Sequence, residues 1–299
     1  MKKLLFVMNP FAGIKRANRV LPEIISIFNR AGYDVMIYMT AAPGDCITAV
    51  EQKAAGMDLV VCVGGDGTFN ETVTGLQHAG LNIPLGYIPA GSTNDFAASL
   101  KLPSNVLDAA ELIAEGQPVA YDIGRFGDRY FTYVASFGAF TRTSYSTPQN
   151  IKNAMGHTAY LLNGIQELSQ IRKHHVRFEL DNGTVIEDDF IFGAISNSTS
   201  MGGLLTLDPK QVDMQDGKFE LFLVRAPKDL LELGECAIAL SEQKYNCKAI
   251  TFCSASKITI TASPDMNWIL DGEMEPGHEV VTIENLHHAI RLNQRRNDT

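Results

Sequence analysis

Residues Leu59 to Val63 form an unbroken apolar run that passes directly into Gly64-Gly65-Asp66-Gly67. A short, wholly apolar segment stopped by glycines reads as a buried strand. Its neighbours alternate in type. Residues 3–8 read as a second buried strand, followed by an Asn9-Pro10-Phe11-Ala12-Gly13 turn. From Lys15 to Arg30, Val20, Leu21, Ile24, Ile25, Ile27 and Phe28 recur at helical spacing, and Gly32 stands where a C-cap belongs. The pattern predicts a strand from Tyr33 to Thr40, helices from Asp45 to Ala54 and Phe69 to Gln77, a strand from Leu85 to Ile88 and a short helix over 94–99. Strands alternating with helices predict a parallel sheet with helices on both faces. Such sheets bind ligands just beyond the carboxyl ends of their strands.

Near Pro118 the pattern changes. Residues 119–140 read as strand, turn and strand, with Gly127-Asp128 at the turn, and a long helical stretch is expected from Gln149 to Lys173. Beyond it, strands are predicted at Val176 to Leu180, Val185 to Ser196, Phe219 to Val224, Ile258 to Ala262, Trp268 to Leu270 and Glu279 to Ile283. Asp181-Asn182-Gly183 is a hairpin turn signal. With 299 residues, at roughly 150 per domain, two domains are expected. They are an α/β domain over 1–120 and a mainly β domain over 121–292, followed by a flexible tail over 293–299.

Composition narrows the class. Hydrophobic residues make up 45% and charged residues 20%, the balance of a globular chain, which excludes intrinsic disorder, collagen and coiled coil. A net charge of −9, from 34 acids and 25 bases, argues against a dedicated nucleic-acid binder. It leaves room for an anionic small ligand held locally. Cys46, Cys62, Cys236, Cys247 and Cys253 are odd in number, scattered and free of CxxC spacing, so neither a zinc site nor a disulfide framework is expected. A reducing, cytosolic compartment follows. The N-terminal apolar stretch stops at Asn9-Pro10, short for a signal peptide, and no run approaches the ~18 apolar residues of a membrane span. A soluble protein is expected.

The chemistry concentrates in Gly64-Gly65-Asp66-Gly67-Thr68-Phe69-Asn70-Glu71. Three glycines in four positions after a buried strand let the backbone approach a ligand closely. N–H groups beside a helix N-terminus favour phosphate oxygens, and Asp66 can hold the magnesium ion that neutralises phosphate charge. The pattern is neither a P-loop, since no Lys follows the last glycine, nor a Rossmann GxGxxG.

This octet, the Asn9 to Gly13 turn and Ala90-Gly91-Ser92-Thr93-Asn94-Asp95-Phe96-Ala97 resemble the diacylglycerol kinase catalytic-domain family. That family covers bacterial soluble diacylglycerol kinases and related lipid kinases, with sphingosine kinases as relatives. The resemblance extends over nearly the whole chain. Asp271-Gly272-Glu273 matches the family's catalytic segment and Asp213 to Phe219 its metal loop. NAD kinases and phosphofructokinases share the GGDG element, but the GSTNDFA and DGE segments together select the lipid kinases. No TGSTAY-like segment of a NAD kinase is present.

The resemblance implies a Rossmann-like, NAD-kinase-like parallel sheet in the α/β domain and a β-sandwich in the second. It implies an ATP site at Asn9, Pro10, Phe11, Ala12, Gly13, Thr40, Gly65, Asp66, Gly67, Thr68, Phe69, Asn70, Glu71 and Thr93. Thr40 reads equally as a β-branched strand end, and Ser92 and Thr93 as a helix cap. It implies Asp66, Asp271 and Glu273 as catalytic carboxylates. Residues two apart in extended backbone point the same way, so Asp271 and Glu273 are expected to face one cleft. Glu273 would be the base and Asp271 would orient the hydroxyl or a metal-bound water. A structural magnesium ion would be held by the Asp216 carboxylate and the carbonyls of Asp213 and Lys218, although Asp216-Gly217 is also consistent with a plain hairpin turn. His174-His175 reads as a helix end that compensates the dipole, and His287-His288 has no partner at metal spacing. Lys15, Arg16 and Arg19, opening the first helix against its dipole, suit phosphate or headgroup contact or a solvated face.

The expected function is an ATP- and Mg2+-dependent lipid kinase, with ATP as co-substrate, converting diacylglycerol to phosphatidic acid. It would be cytoplasmic and peripheral at the inner face of the membrane, where its lipid substrate lies, with no nucleic-acid partner. A homodimer is the assembly considered. The alternatives are another lipid alcohol (phosphatidylglycerol or a sphingoid base), NAD phosphorylation, and a catalytically inactive lipid- or nucleotide-sensing protein.

Overall fold

Neighbouring side chains on a strand leave on opposite faces, and the strand segments 4–8, Leu59–Gly64 and Leu85–Pro89 bury both. The computed structural model describes residues 1–13, 16–138, 172–201, 205–228, 230–241, 245 and 247–295. Its first half runs β1 (Lys2–Met8), α1 (Arg16–Arg19), α2 (Leu21–Arg30), β2 (Tyr33–Met39), α3 (Asp45–Lys53), β3 (Leu59–Gly64), α4 (Asp66–His78), β4 (Leu85–Pro89), α5 (Asp95–Ser99) and α6 (Val106–Glu115). Leu4, Phe6 and Met8 share one core with Ile24 and Phe28 of α2 and Ile113 of α6. Leu5 and Val7 share another with Val50 of α3 and Phe69 and Val73 of α4. Helices therefore cover both faces, as the alternation predicts. Every residue from Leu59 to Val63 is fully buried, and each Leu or Val removed from water in this way contributes about 1.5–3 kcal/mol.

The second half runs β5 (Gln117–Phe126), β6 (Arg129–Phe131), β7 (Val134–Gly138), β8 (His174–Leu180), β9 (Val185–Ser196), β10 (Ser200–Met201), β11 (Leu205–Thr206), β12 (Phe219–Arg225), α7 (Leu230–Ser241), β13 (Ile250–Ala255), β14 (Lys257–Ala262), β15 (Trp268–Leu270), β16 (Glu273–Glu275) and β17 (Val280–Gln294). The parallel order β4-β3-β1-β2 continues through β17 into β14, β8, β9, β7, β15 and β16. β17 makes the junction. It pairs antiparallel with β5 and β14, and parallel with β4 at Leu292 opposite Leu85. The result is one mixed sheet with helices, parallel at one end and antiparallel at the other, and residue 120 falls inside β5. Among the described residues, no helix is long and apolar enough to cross a membrane.

Four local expectations need correction. The helix expected from Lys15 to Arg30 divides at Val20, because Pro22 occupies the first turn of α2 and proline cannot continue a helix from the preceding turn. α4 starts at Asp66 instead of Phe69, so most of the glycine octet is helix. The last strand reaches Gln294, and Asn293, expected in the tail, is buried with its Nδ2 donating to the Ile113 carbonyl. His174-His175 opens β8, where His175 bonds Asp189 and Glu187. Of the predicted helix Gln149 to Lys173, residues 149–171 lie outside the described residues, as do 296–299 of the tail. α6 has its own unread signals, an Asn105 cap that accepts the Leu107 and Asp108 N–H groups and a buried face of Ala109, Ala110 and Ile113.

Candidate functional site

Three segments leave the carboxyl ends of parallel strands and meet backbone to backbone. Gly13, after β1, has φ +51°, and a Cβ there would lie 2.1 Å from the Ala90 carbonyl oxygen. Gly91, after β4, would place a Cβ 2.5 Å from the Gly65 Cα. Only hydrogen at these positions permits the approach. The Asn9 N–H donates to the Val63 carbonyl at 2.9 Å and the Ala90 N–H to the Gly64 carbonyl at 2.7 Å. Thr40, after β2, donates its N–H to the Met8 carbonyl at 2.9 Å. Asn9, Thr40, Gly65 and Ala90 are thus brought to one sheet edge around the N-terminus of α4, where the helix presents free N–H groups.

Asp66 opens α4 and is buried. Its Oδ2 accepts the Asp95 N–H at 3.0 Å and its Oδ1 the Phe96 N–H at 3.3 Å, so it caps α5. Burial pushes its carboxyl up to about 6; the two N–H bonds oppose this, while the Asp95 and Asp271 charges add to it. A carboxyl raised above its unfolded value of 3.8 stabilises the fold below that pH, and the contribution is lost as pH rises through about 6. The ligand-free protein should therefore lose stability between about pH 4 and 6, by up to about 3 kcal/mol from this group. Thermal unfolding across pH should show Asp66→Asn flattening that slope. An unchanged slope would mean that Asp66 ionises normally.

Asp271 and Glu273 do not share a cleft. The backbone there is a left-handed turn, φ +49° at Asp271 and +88° at Gly272, and the same-side rule for extended chain does not apply. The Asp271 carboxylate points inward. It accepts the backbone N–H groups of Thr132, Tyr133 and Val134 at 2.5, 3.0 and 3.1 Å, the Thr132 hydroxyl at 2.8 Å and Asn70 Nδ2 at 2.8 Å. Glu273 is outward, its side chain 57% exposed. Its Oε1 lies 3.5 Å from where a Gly67 Cβ would stand, over the first turn of α4. Arg129 Nη2 approaches its other oxygen at 3.3 Å while Nη1 donates to Glu275 at 2.8 Å.

Other expected nucleotide contacts divide. Phe69 is core, stacked on Tyr87 at 4.5 Å and Phe96 at 4.8 Å. Glu71 turns away to accept the N–H groups of Gly44 and Cys46 at the start of α3. Asn70 bridges to the antiparallel half through Asp271 and the Tyr130 carbonyl. Thr68 is buried and its hydroxyl accepts Asn9 Nδ2 at 3.4 Å. Phe11 and Thr93 are exposed at the rim, with Pro10 and Ala12 half-buried and Gly67 lining the turn. Asp95, buried beside Asp66, and Arg129 carry no assignment from sequence; Asp95 was legible only as part of the quoted segment, and Arg129 as a cation after a turn.

The loop at 213–218 is a turn in which Asp213 and Asp216 accept the N–H groups of Gln215 and Lys218. Beside it, buried Glu220 has an unpartnered Oε2, and the Oδ1 of Asn285, whose amide donates to the Lys218 carbonyl, is also unpartnered. Burial first, with the Asp216 and Asp213 charges adding, pushes the Glu220 carboxyl up to about 8. Unsatisfied oxygens and uncompensated negative charge fit a hard cation.

The chain is similar to known proteins over most of its length. The diacylglycerol kinase catalytic domain profile matches residues 3–126. A protein of Staphylococcus epidermidis named diacylglycerol kinase is 32% identical over 274 residues, covering 91% of this chain and 86% of that protein. One of the same name from Bacillus subtilis strain 168 is 31% identical over 292 residues, covering 96% of each. A solved structure described as a diacylglycerol kinase of Bacillus anthracis strain Sterne matches the fold with a TM-score of 0.74 at 22% identity, over 100% of this chain and 98% of its own.

Proposed function

This chain belongs to the diacylglycerol kinase family of lipid kinases, and from that premise we propose that it transfers the γ-phosphate of ATP to the hydroxyl of diacylglycerol, giving phosphatidic acid. The observation that carries the reading is the exposed Glu273 carboxylate standing over Gly67, at a helix N-terminus opened by buried Asp66. ATP phosphates lie against the glycine backbone and the free N–H groups of α4, with Asn9 to Gly13, Thr40 and Thr93 lining the site. Asp66, with Asp95 beside it, holds magnesium at the phosphates, and that ion supplies charge neutralisation when bound. Glu273 accepts the proton of the lipid hydroxyl. Asp271 acts at one remove, fixing the turn from which Glu273 projects. A second ion at the Asp216 carboxylate and the carbonyls of Asp213 and Lys218 supplies structure, and Glu220 and Asn285 offer it further oxygen. Peripheral membrane contact from the cytoplasmic side, and a division of labour between a nucleotide half and a lipid half near residue 120, belong to the same reading.

Incubation with labelled ATP, dispersed lipids and NAD tests the proposal. Labelled phosphatidic acid is expected. Label in NADP with none in lipid would overturn it, and label in phosphatidylglycerol or a sphingoid base would move the substrate.

A further inference from the structure

The last strand abandons strand geometry at two successive histidines. β17 shifts register against β5 between Leu286 and Ile290, and His288 within that bulge has φ +54°, an uncommon conformation for a residue other than glycine. Successive strand side chains normally leave on opposite faces. Here both imidazoles lie together, stacked with centroids 3.6 Å apart, and both residues are exposed. Beneath them is Asp122 of β5, fully buried. Its Oδ1 accepts the His288 N–H at 2.7 Å and lies 3.0 Å from His287 Nδ1. Its Oδ2 accepts the Gly217 N–H at 2.7 Å. A carboxylate oxygen and one ring nitrogen from each histidine all fall within 4.8 Å of one another.

We propose that Asp122, His287 and His288 bind a divalent transition-metal ion of the imidazole-preferring kind, such as zinc or cobalt. Two neutral imidazoles and one carboxylate suit such an ion and not magnesium, which takes oxygen ligands. Bonds of about 2.0–2.2 Å hold ligand atoms roughly 3.2–3.6 Å apart, close to the present separation of His287 Nδ1 and Asp122 Oδ1. The ion binds between those two atoms, with the neutral His287 ring carrying its proton on Nε2 and its Nδ1 lone pair on the metal. The Asp122 carboxylate is already out of water and fixed by backbone donors, so little has to move. Exposure of both rings leaves an entry path and room for water to complete the coordination. This ligand set is separate from the oxygen set of the 213–218 loop, although Gly217 touches both.

Cobalt, whose visible absorption reports nitrogen coordination, is the probe. The full chain, stripped with a chelator, is titrated with Co2+ in excess Mg2+. One equivalent should bind, be displaced by Zn2+ and resist Mg2+. His287→Gln and His288→Gln should each weaken binding about tenfold or more, while Asp216→Ala retains it. Circular dichroism and metal-free melting of each variant separate a lost ligand from a lost fold. No stoichiometric cobalt binding by the wild-type chain, or binding unchanged in both folded histidine variants, would overturn the proposal.

Discussion

Glu273→Gln should leave a folded, ATP-binding protein with kcat lowered by about 10²–10⁴-fold, the span of a positioned general base. Glutamine keeps the length and shape of the side chain over Gly67 but cannot take the hydroxyl proton. Because Glu273 is exposed and its contacts are the ends of Arg129 and the α4 turn, the unfolding midpoint should move little. An exposed ion pair of this kind contributes about 0–1 kcal/mol. Steady-state kinetics, nucleotide affinity and melting decide the matter together. A variant within threefold of wild type would remove Glu273 from the chemistry.

Asp271→Ala should instead cost the fold. Five donors converge on that carboxylate, three of them backbone N–H groups in the segment leading into β7. Each buried donor left unpaired costs about 1–3 kcal/mol, against a total stability of about 5–15 kcal/mol for a typical domain. A loss of several kcal/mol is expected, read as a large fall in the urea midpoint that exceeds any change in Glu273→Gln. An Asp271→Ala protein that unfolds at the wild-type midpoint yet turns over nothing would return the residue to the reaction itself.

The parallel half was legible because its signals are local. Apolar runs and glycine stops set β1 and β3 within a residue, helical periodicity set the end of α2 at Arg30 but not its start, and the three segments that meet at the sheet edge followed from strand ends. Side-chain direction was not legible. Asp271 and Glu273 sit two apart, and only the left-handed turn, dictated by contacts with residues 132–134 far away in sequence, sends one inward and the other outward. Phe69 and Glu71 occupy the quoted octet, but helix geometry turns one into the core and the other toward α3. Asp122 was invisible for a related reason. A lone carboxylate in an apolar strand gives no hint that a bulge about 165 residues later will bring two histidines onto it.

The position of β17 has a consequence for how the chain is made. The strand that joins the parallel strands to the antiparallel ones follows every other described strand in the chain, so neither half can close its sheet before that strand is made. Its pairings with β4 and β5 span most of the chain, a high contact order that slows folding. Until they form, β4 lacks its pairing at Leu85 and β5 its long partner, open edges of the kind that recruit other strands. Nascent chains stalled before residue 280 would carry those open edges, and a chaperone that shields sheet edges would be needed until β17 emerges.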